Sequence, residues 1–140
     1  NKGGTIELDG IKVTMVDATH SSGIDDGGKI VNGGEAAAFI ITLENGFKVY
    51  HMGDTGFHGS MQIIGDFYKP DLVLIPIGSI YTLGPKEAAY AVNLLKPRWI
   101  IPMHYKTFPQ VTGNPEEFKN ALDPAYKERV IVLNPGESAD

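Results

Sequence analysis

Phe47-Lys48-Val49-Tyr50-His51-Met52-Gly53-Asp54-Thr55-Gly56 separates two kinds of sequence in this chain. Before it, β-branched and aromatic residues come in short arms divided by turn pairs. After it, apolar runs alternate with stretches of helical spacing. The arm from Phe47 to Met52 reads as a strand, and Gly53 and Gly56 let the backbone turn sharply around Asp54.

Upstream, Ala36 to Leu43 pairs with that arm across Asn45-Gly46, a favoured hairpin turn. Thr5 to Leu8 and Ile11 to Ala18 form a second hairpin around Asp9-Gly10. Between the hairpins, Ser21 to Gly34 is rich in Gly and Asp and reads as a loop. Downstream, Met61, Ile64 and Tyr68, with Ile63 and Phe67, mark a short amphipathic helix that stops before Pro70. Leu72 to Ile77 is a continuous apolar run, as in a strand covered on both faces. Pro85 suits a first helical position, and Ala88, Ala91, Val92 and Leu95 then line one face. Arg98 to Met103 reads as another buried strand. Asn114, Pro115 and Glu117 open a helix that ends near Pro124, and Arg129 to Leu133 reads as the last strand. Hairpins leading into a β-α-β-α-β-α-β series make the class α/β or α+β, with helices on at least one side of the strands.

At 140 residues the length suits one domain. A net charge of −5 argues against a nucleic-acid surface, where a basic stripe is expected. The chain has no cysteine, which excludes disulfides and thiolate zinc sites and fits a reducing, cytoplasmic setting. No apolar run reaches the roughly 18 residues of a membrane span, and no signal peptide is visible. The first residue is Asn1, so further residues upstream are expected.

Three potential metal ligands stand where apolar strands give way to loops: His20, Asp54 and His104. Two imidazoles and a carboxylate are a partial shell for a divalent ion. No His-x-His, His-x-x-x-His or His-Glu-x-x-His pair accompanies them. Each has a plainer reading. Asp54 would cap the following helix, His20 would be a surface residue, and His104 would satisfy its ring nitrogens in the core. His51 reads as a structural strand residue or a support behind Asp54, and His58 as a solvent-facing one. Asp54-Thr55-Gly56 also matches small dimeric aspartic proteases, but the helical series after residue 84 does not suit their nearly all-β fold. The segment Gly78 to Lys86 has the look of a nucleotide loop, yet Pro85 and Glu87 break the Walker spacing.

Taken in order, these segments resemble the C-terminal half of the metallo-β-lactamase superfamily. The likeness is strongest to its branch of metal-dependent hydrolases related to ascorbate-phosphate lactonases. It is carried by Lys12–Ala18 with His20-Ser21-Ser22-Gly23-Ile24, Tyr50–Gly56, Tyr68–Leu72, Leu74–Gly78, Thr82–Pro85 and Ile101–Phe108. The resemblance implies a four-layer αββα sandwich of two similar halves, of which residues 1–140 form the C-terminal one. It implies that His20 is a ligand of one metal, His104 of a second, and Asp54 a catalytic carboxylate bridging both. One or two divalent ions are implied, zinc foremost, with manganese, nickel or iron also suited. They would activate a water against a phosphate ester, lactone or other acyl compound. The family's His-x-His-x-Asp-His cluster is absent from this chain. A partner is therefore expected, either a separate N-terminal half carrying that cluster or the severed part of one precursor. The competing expectations are a non-catalytic half-domain serving assembly or ligand binding, and a homodimer that rebuilds a sandwich from two copies.

Overall fold

A computed structural model describes residues 1–139. The first hairpin, β1 (Thr5–Leu8) and β2 (Ile11–Asp17), turns through Asp9 and Gly10, both at positive φ (49° and 82°). That is the handedness a two-residue hairpin needs. A small separate hairpin follows, β3 (Gly23–Asp26) and β4 (Lys29–Asn32), then β5 (Ala37–Thr42) and β6 (Lys48–His51). The remainder is α1 (Ser60–Tyr68), β7 (Leu72–Pro76), α2 (Pro85–Leu95), β8 (Trp99–Met103), α3 (Pro115–Ala121) and α4 (Pro124–Lys127).

Six strands make one mixed sheet in the order β1-β2-β5-β6-β7-β8. The first four are antiparallel neighbours, as their hairpins dictate. From β6 onward the pairing is parallel, because α1 and α2 cross over between strands. Register lines up Thr14, Ile40, Tyr50, Val73 and Ile100 on one face, and all five are buried. Met61 and Ile64 of α1, Ala88 to Leu95 of α2, and Phe118 of α3 close over that face in a single core. Gly65 lies where a Cβ would strike the Leu94 carbonyl, so a glycine lets α1 and α2 approach closely.

Among the described residues, no helix packs over the opposite face, and its side chains are mostly only partly buried. In register across all six strands lie Ile6, Val13, Ile41, Val49, Leu72 and Trp99, none of them buried. A second row, Met15, Phe39, His51, Leu74 and Ile101, runs beside it, equally incompletely covered. Among the described residues the six-stranded sheet therefore has helices on one side and, on the other, a face that is apolar apart from His51 and only partly covered. The expectation that Leu72 to Ile77 is covered on both faces is corrected: burial alternates through Leu72, Val73, Leu74 and Ile75.

Two further expectations change. The segment from Ser21 to Gly34 is not a loop throughout, because β3 and β4 pair around Gly27-Gly28, both at positive φ. Arg129 to Leu133 is not a strand. It makes one parallel bridge, Ile100 to Val130, with Ile131 N–H donating to Ile100 O at 2.8 Å. The helix opening at Asn114 ends at Ala121, just before Pro124 as expected, and a separate short helix, α4, follows it, capped by Asp123 accepting from the Ala125 amide.

Candidate metal centre

Asp54 and His104 come from strands that flank β7, roughly 9–10 Å apart at the backbone. Their side chains must reach across the exit of β7 to meet, and that exit is Gly78. A Cβ at residue 78 would lie 2.5 Å from the His104 carbonyl oxygen and 2.8 Å from its Nδ1. Glycine thus leaves the space into which the His104 ring folds. His104 itself takes a left-handed backbone (φ 55°), as does Lys106 (φ 56°), uncommon conformations for residues bearing a Cβ.

The result is a facing pair. His104 Nε2 lies 3.5 Å from Asp54 Oδ1, with the histidine side chain 26 % and the aspartate 47 % exposed. That separation is long for an N–H···O bond, which prefers about 2.9–3.0 Å. It matches two donors on one tetrahedral ion, which at about 2.0–2.1 Å from the metal stand roughly 3.3 Å apart. His104 Nδ1 is buried with no hydrogen-bond partner.

Asp54 is held from both sides. His51 Nδ1 accepts from the Gly53 amide at 3.1 Å, which places the proton of a neutral ring on Nε2. His51 thereby supports the loop that presents Asp54, and its side chain belongs to the bare sheet face. Gly53 has φ 63° and approaches the Ala37 carbonyl closely. After Asp54, Thr55 is fully buried. The plainer reading of Asp54 as a helix cap does not hold, because α1 begins at Ser60 with Gly59 in the cap position.

His20 lies three residues beyond β2. Thr19 beside it is bonded to the Asp54 loop: its amide donates to Thr55 Oγ1 at 2.9 Å, and its carbonyl accepts from the Gly56 amide at 2.8 Å. His20 Nδ1 donates to the Ser21 carbonyl at 2.8 Å, since a carbonyl only accepts. The neutral ring then keeps its lone pair on Nε2, the form a metal needs. Even so, no three His, Asp or Glu side chains among the described residues form a group able to hold an ion. Asp54 and His104 fit two places on one ion. His20 is brought to the same edge without completing a shell.

Thr55 is the residue the sequence did not single out. Nothing in Asp-Thr-Gly reveals that the hydroxyl is enclosed and bonded to a strand end 36 residues earlier. His58 is also placed differently from expectation. Both its ring nitrogens are shielded and unpartnered, and burial lowers its pKa against a smaller upward pull from Asp17. Loops from β7 and β8 flank the centre, with Tyr81 and Phe108 exposed and tilted together at 6.2 Å.

A family profile described as "Beta-lactamase superfamily domain" matches residues 1–104. The chain belongs to the β-lactamase superfamily. Within that superfamily it is 52% identical over 139 residues to a UPF0173 metal-dependent hydrolase of Methanosarcina barkeri, covering 99% of this chain and 60% of that relative. It is 53% identical over 138 residues to a UPF0173 metal-dependent hydrolase of Cupriavidus necator, covering 94% of this chain and 48% of the relative. Among solved structures it is similar to Igni18, a metallo hydrolase from Ignicoccus hospitalis. That match has a TM-score of 0.84 at 39% identity, over 98% of this chain and 57% of Igni18. The chain therefore spans about half to 60% of the length of these superfamily members.

Proposed function

We propose that this chain supplies part of the metal centre of a metal-dependent hydrolase. The observation that carries the reading is the Asp54–His104 pair, 3.5 Å apart across a glycine. In this reading Asp54 and His104 hold one divalent ion, and Asp54 with His20 contributes to a second. Such ions lower the pKa of a coordinated water and polarise the scissile group. Zinc suits the donor set, as do manganese, nickel and iron. The substrate is a small phosphate ester, lactone or other acyl compound.

The residues of this chain bind and orient. His51 and the two glycines set the Asp54 loop, the Ser21 carbonyl fixes the His20 tautomer, and Gly78 admits the His104 ring. Two protein ligands per ion fall short of the three usual for catalytic zinc. The missing donors are assigned to an N-terminal half carrying His-x-His-x-Asp-His, as a separate polypeptide or the other piece of a precursor. That half would also cover the bare apolar rows, with an obligate interface of roughly 2,000 Å² or more.

Asp54→Asn in the assembled protein is expected to lose bound metal and turnover together, read by elemental analysis and a hydrolase panel. Unchanged turnover would remove Asp54 from the reaction. The lack of a three-donor group supports a second reading, a non-catalytic half-domain. An assembly that binds no metal would favour it.

A further inference from the structure

We infer that Thr55 is the residue that positions the His20 strand end against Asp54, an inference that rests on the metal-centre reading above. Thr55 and Thr14 are the buried polar residues of the core among the described residues, and Thr55 is fully enclosed. Its Oγ1 accepts from the Thr19 amide at 2.9 Å and donates to the Gly56 carbonyl at 2.9 Å. The return bond, Gly56 N–H to Thr19 O, is 2.8 Å. The two chain segments are thus pinned by a reciprocal pair of bonds, one running through a side chain. One segment continues into His20 and the other begins with Asp54.

A third segment joins at the same residue. The Thr55 carbonyl accepts from the Leu83 amide at 2.9 Å, which anchors the loop between β7 and α2. That loop carries Ser79 at a left-handed φ of 76° and is closed internally by Ser79 N–H to Leu83 O. Loops at a sheet edge are otherwise among the more mobile parts of a fold. Here three of them converge on one threonine, and two of the three hold a proposed ligand.

Packing alone does not call for a hydroxyl here. A valine has nearly the shape of threonine and is favoured in an enclosed apolar site, but it would leave the Thr19 amide without its acceptor. The residue is a positioning residue, acting through Thr19 and Gly56 rather than on the ion. Support of this kind is commonly worth 10- to 100-fold in metal affinity.

The test compares Thr55→Val and Thr55→Ser in the chain assembled with its proposed N-terminal half. Cobalt(II) affinity is measured by chelator competition, together with the visible spectrum of the cobalt form and exchange of the Thr19 amide in metal-free protein. Thr55→Val is expected to weaken cobalt binding about 10- to 100-fold, to alter the spectrum and to speed Thr19 exchange. Thr55→Ser, which keeps the hydroxyl, is expected to restore all three. If Thr55→Val does not fold, Thr55→Ala replaces it with the same expectations. A lower melting temperature with native cobalt affinity and spectrum would reduce Thr55 to a structural role and overturn the inference. Native protein that binds no cobalt would instead strike the metal-centre reading, and the positioning role with it.

Discussion

Gly78 shows how little separates a usable centre from a blocked one. A methyl group there would meet the His104 carbonyl, the His104 ring and Val111, the latter two at 2.8 Å. Backbone and a packed valine have little freedom to retreat, so the ring must rotate away from Asp54. Gly78→Ala is therefore expected to weaken metal binding and turnover of the assembled protein by at least the roughly 10- to 100-fold seen for lost supporting contacts. Rotating the ring does not relieve the 2.5 Å clash with the His104 carbonyl, so stability is expected to fall as well. Isothermal titration with zinc beside a thermal melt separates the two effects. His58 carries a different expectation. Burial depresses its pKa below the ordinary 6.5, opposed by Asp17 and reinforced by Lys2. Below about pH 6.5 the unfolded chain takes up a proton that the folded chain refuses. Stability then falls as pH drops through that range and levels off once the folded state is protonated too. Urea melts between pH 7.5 and 5 should show this loss, and His58→Gln should flatten it. Sequence could offer His20, Asp54 and His104 as candidates because strand ends are legible from apolar runs, and the structure brings Asp54 and His104 to 3.5 Å of each other. It misjudged His58, since its burial and the charges of Asp17 and Lys2 near it come from parts of the chain remote in sequence.

At the level of elements, most of the fold was legible wherever one residue type carried an unambiguous signal. Asp9-Gly10 and Asn45-Gly46 turned their hairpins as read, and Pro85 opened α2. The small hairpin was missed because the same glycines that form its turn also lower strand propensity. Ile24 and Ile30 were too few to outweigh Asp25 and Asp26. Arg129 to Leu133 has strand composition but makes a single bridge, and composition cannot report whether a neighbour is present. The helix ends give a direct expectation. Both α1 and α2 stop on a lysine in the left-handed region, Lys69 and Lys96 at φ 52°, where glycine carries no steric cost. Lys69→Gly relieves about 1–2 kcal/mol of strain and gives back part of it as unfolded-chain entropy. A net gain of about 0.5–1 kcal/mol is expected in a urea titration. A lower midpoint would mean that the lysine stem packs usefully on α1.

The six-stranded sheet has a core on one side and, on the other, two partly covered rows that are apolar apart from His51. A contiguous apolar surface left incompletely covered favours association. The chain alone is expected to aggregate or to pair in solution at micromolar concentration, seen as excess mass in light scattering. Addition of the proposed N-terminal half should return a monodisperse heterodimer, and Val49→Lys at the centre of the first row should prevent it. A stable, monodisperse monomer would show that the face needs no cover. The unbroken apolar run from Leu72 to Ile77 reads as a strand covered on both faces, and only the alternating burial of Leu72, Val73, Leu74 and Ile75 shows one face left partly open.

The β3–β4 hairpin begins three residues after His20, and Asp26 near its tip is exposed. Because the chain lacks any native thiol, a single Asp26→Cys offers a unique handle for a fluorescent dye. Energy transfer from that dye to a second one on the incoming half would time the docking of the two pieces, and repeating it without zinc would tell whether assembly waits for the ion.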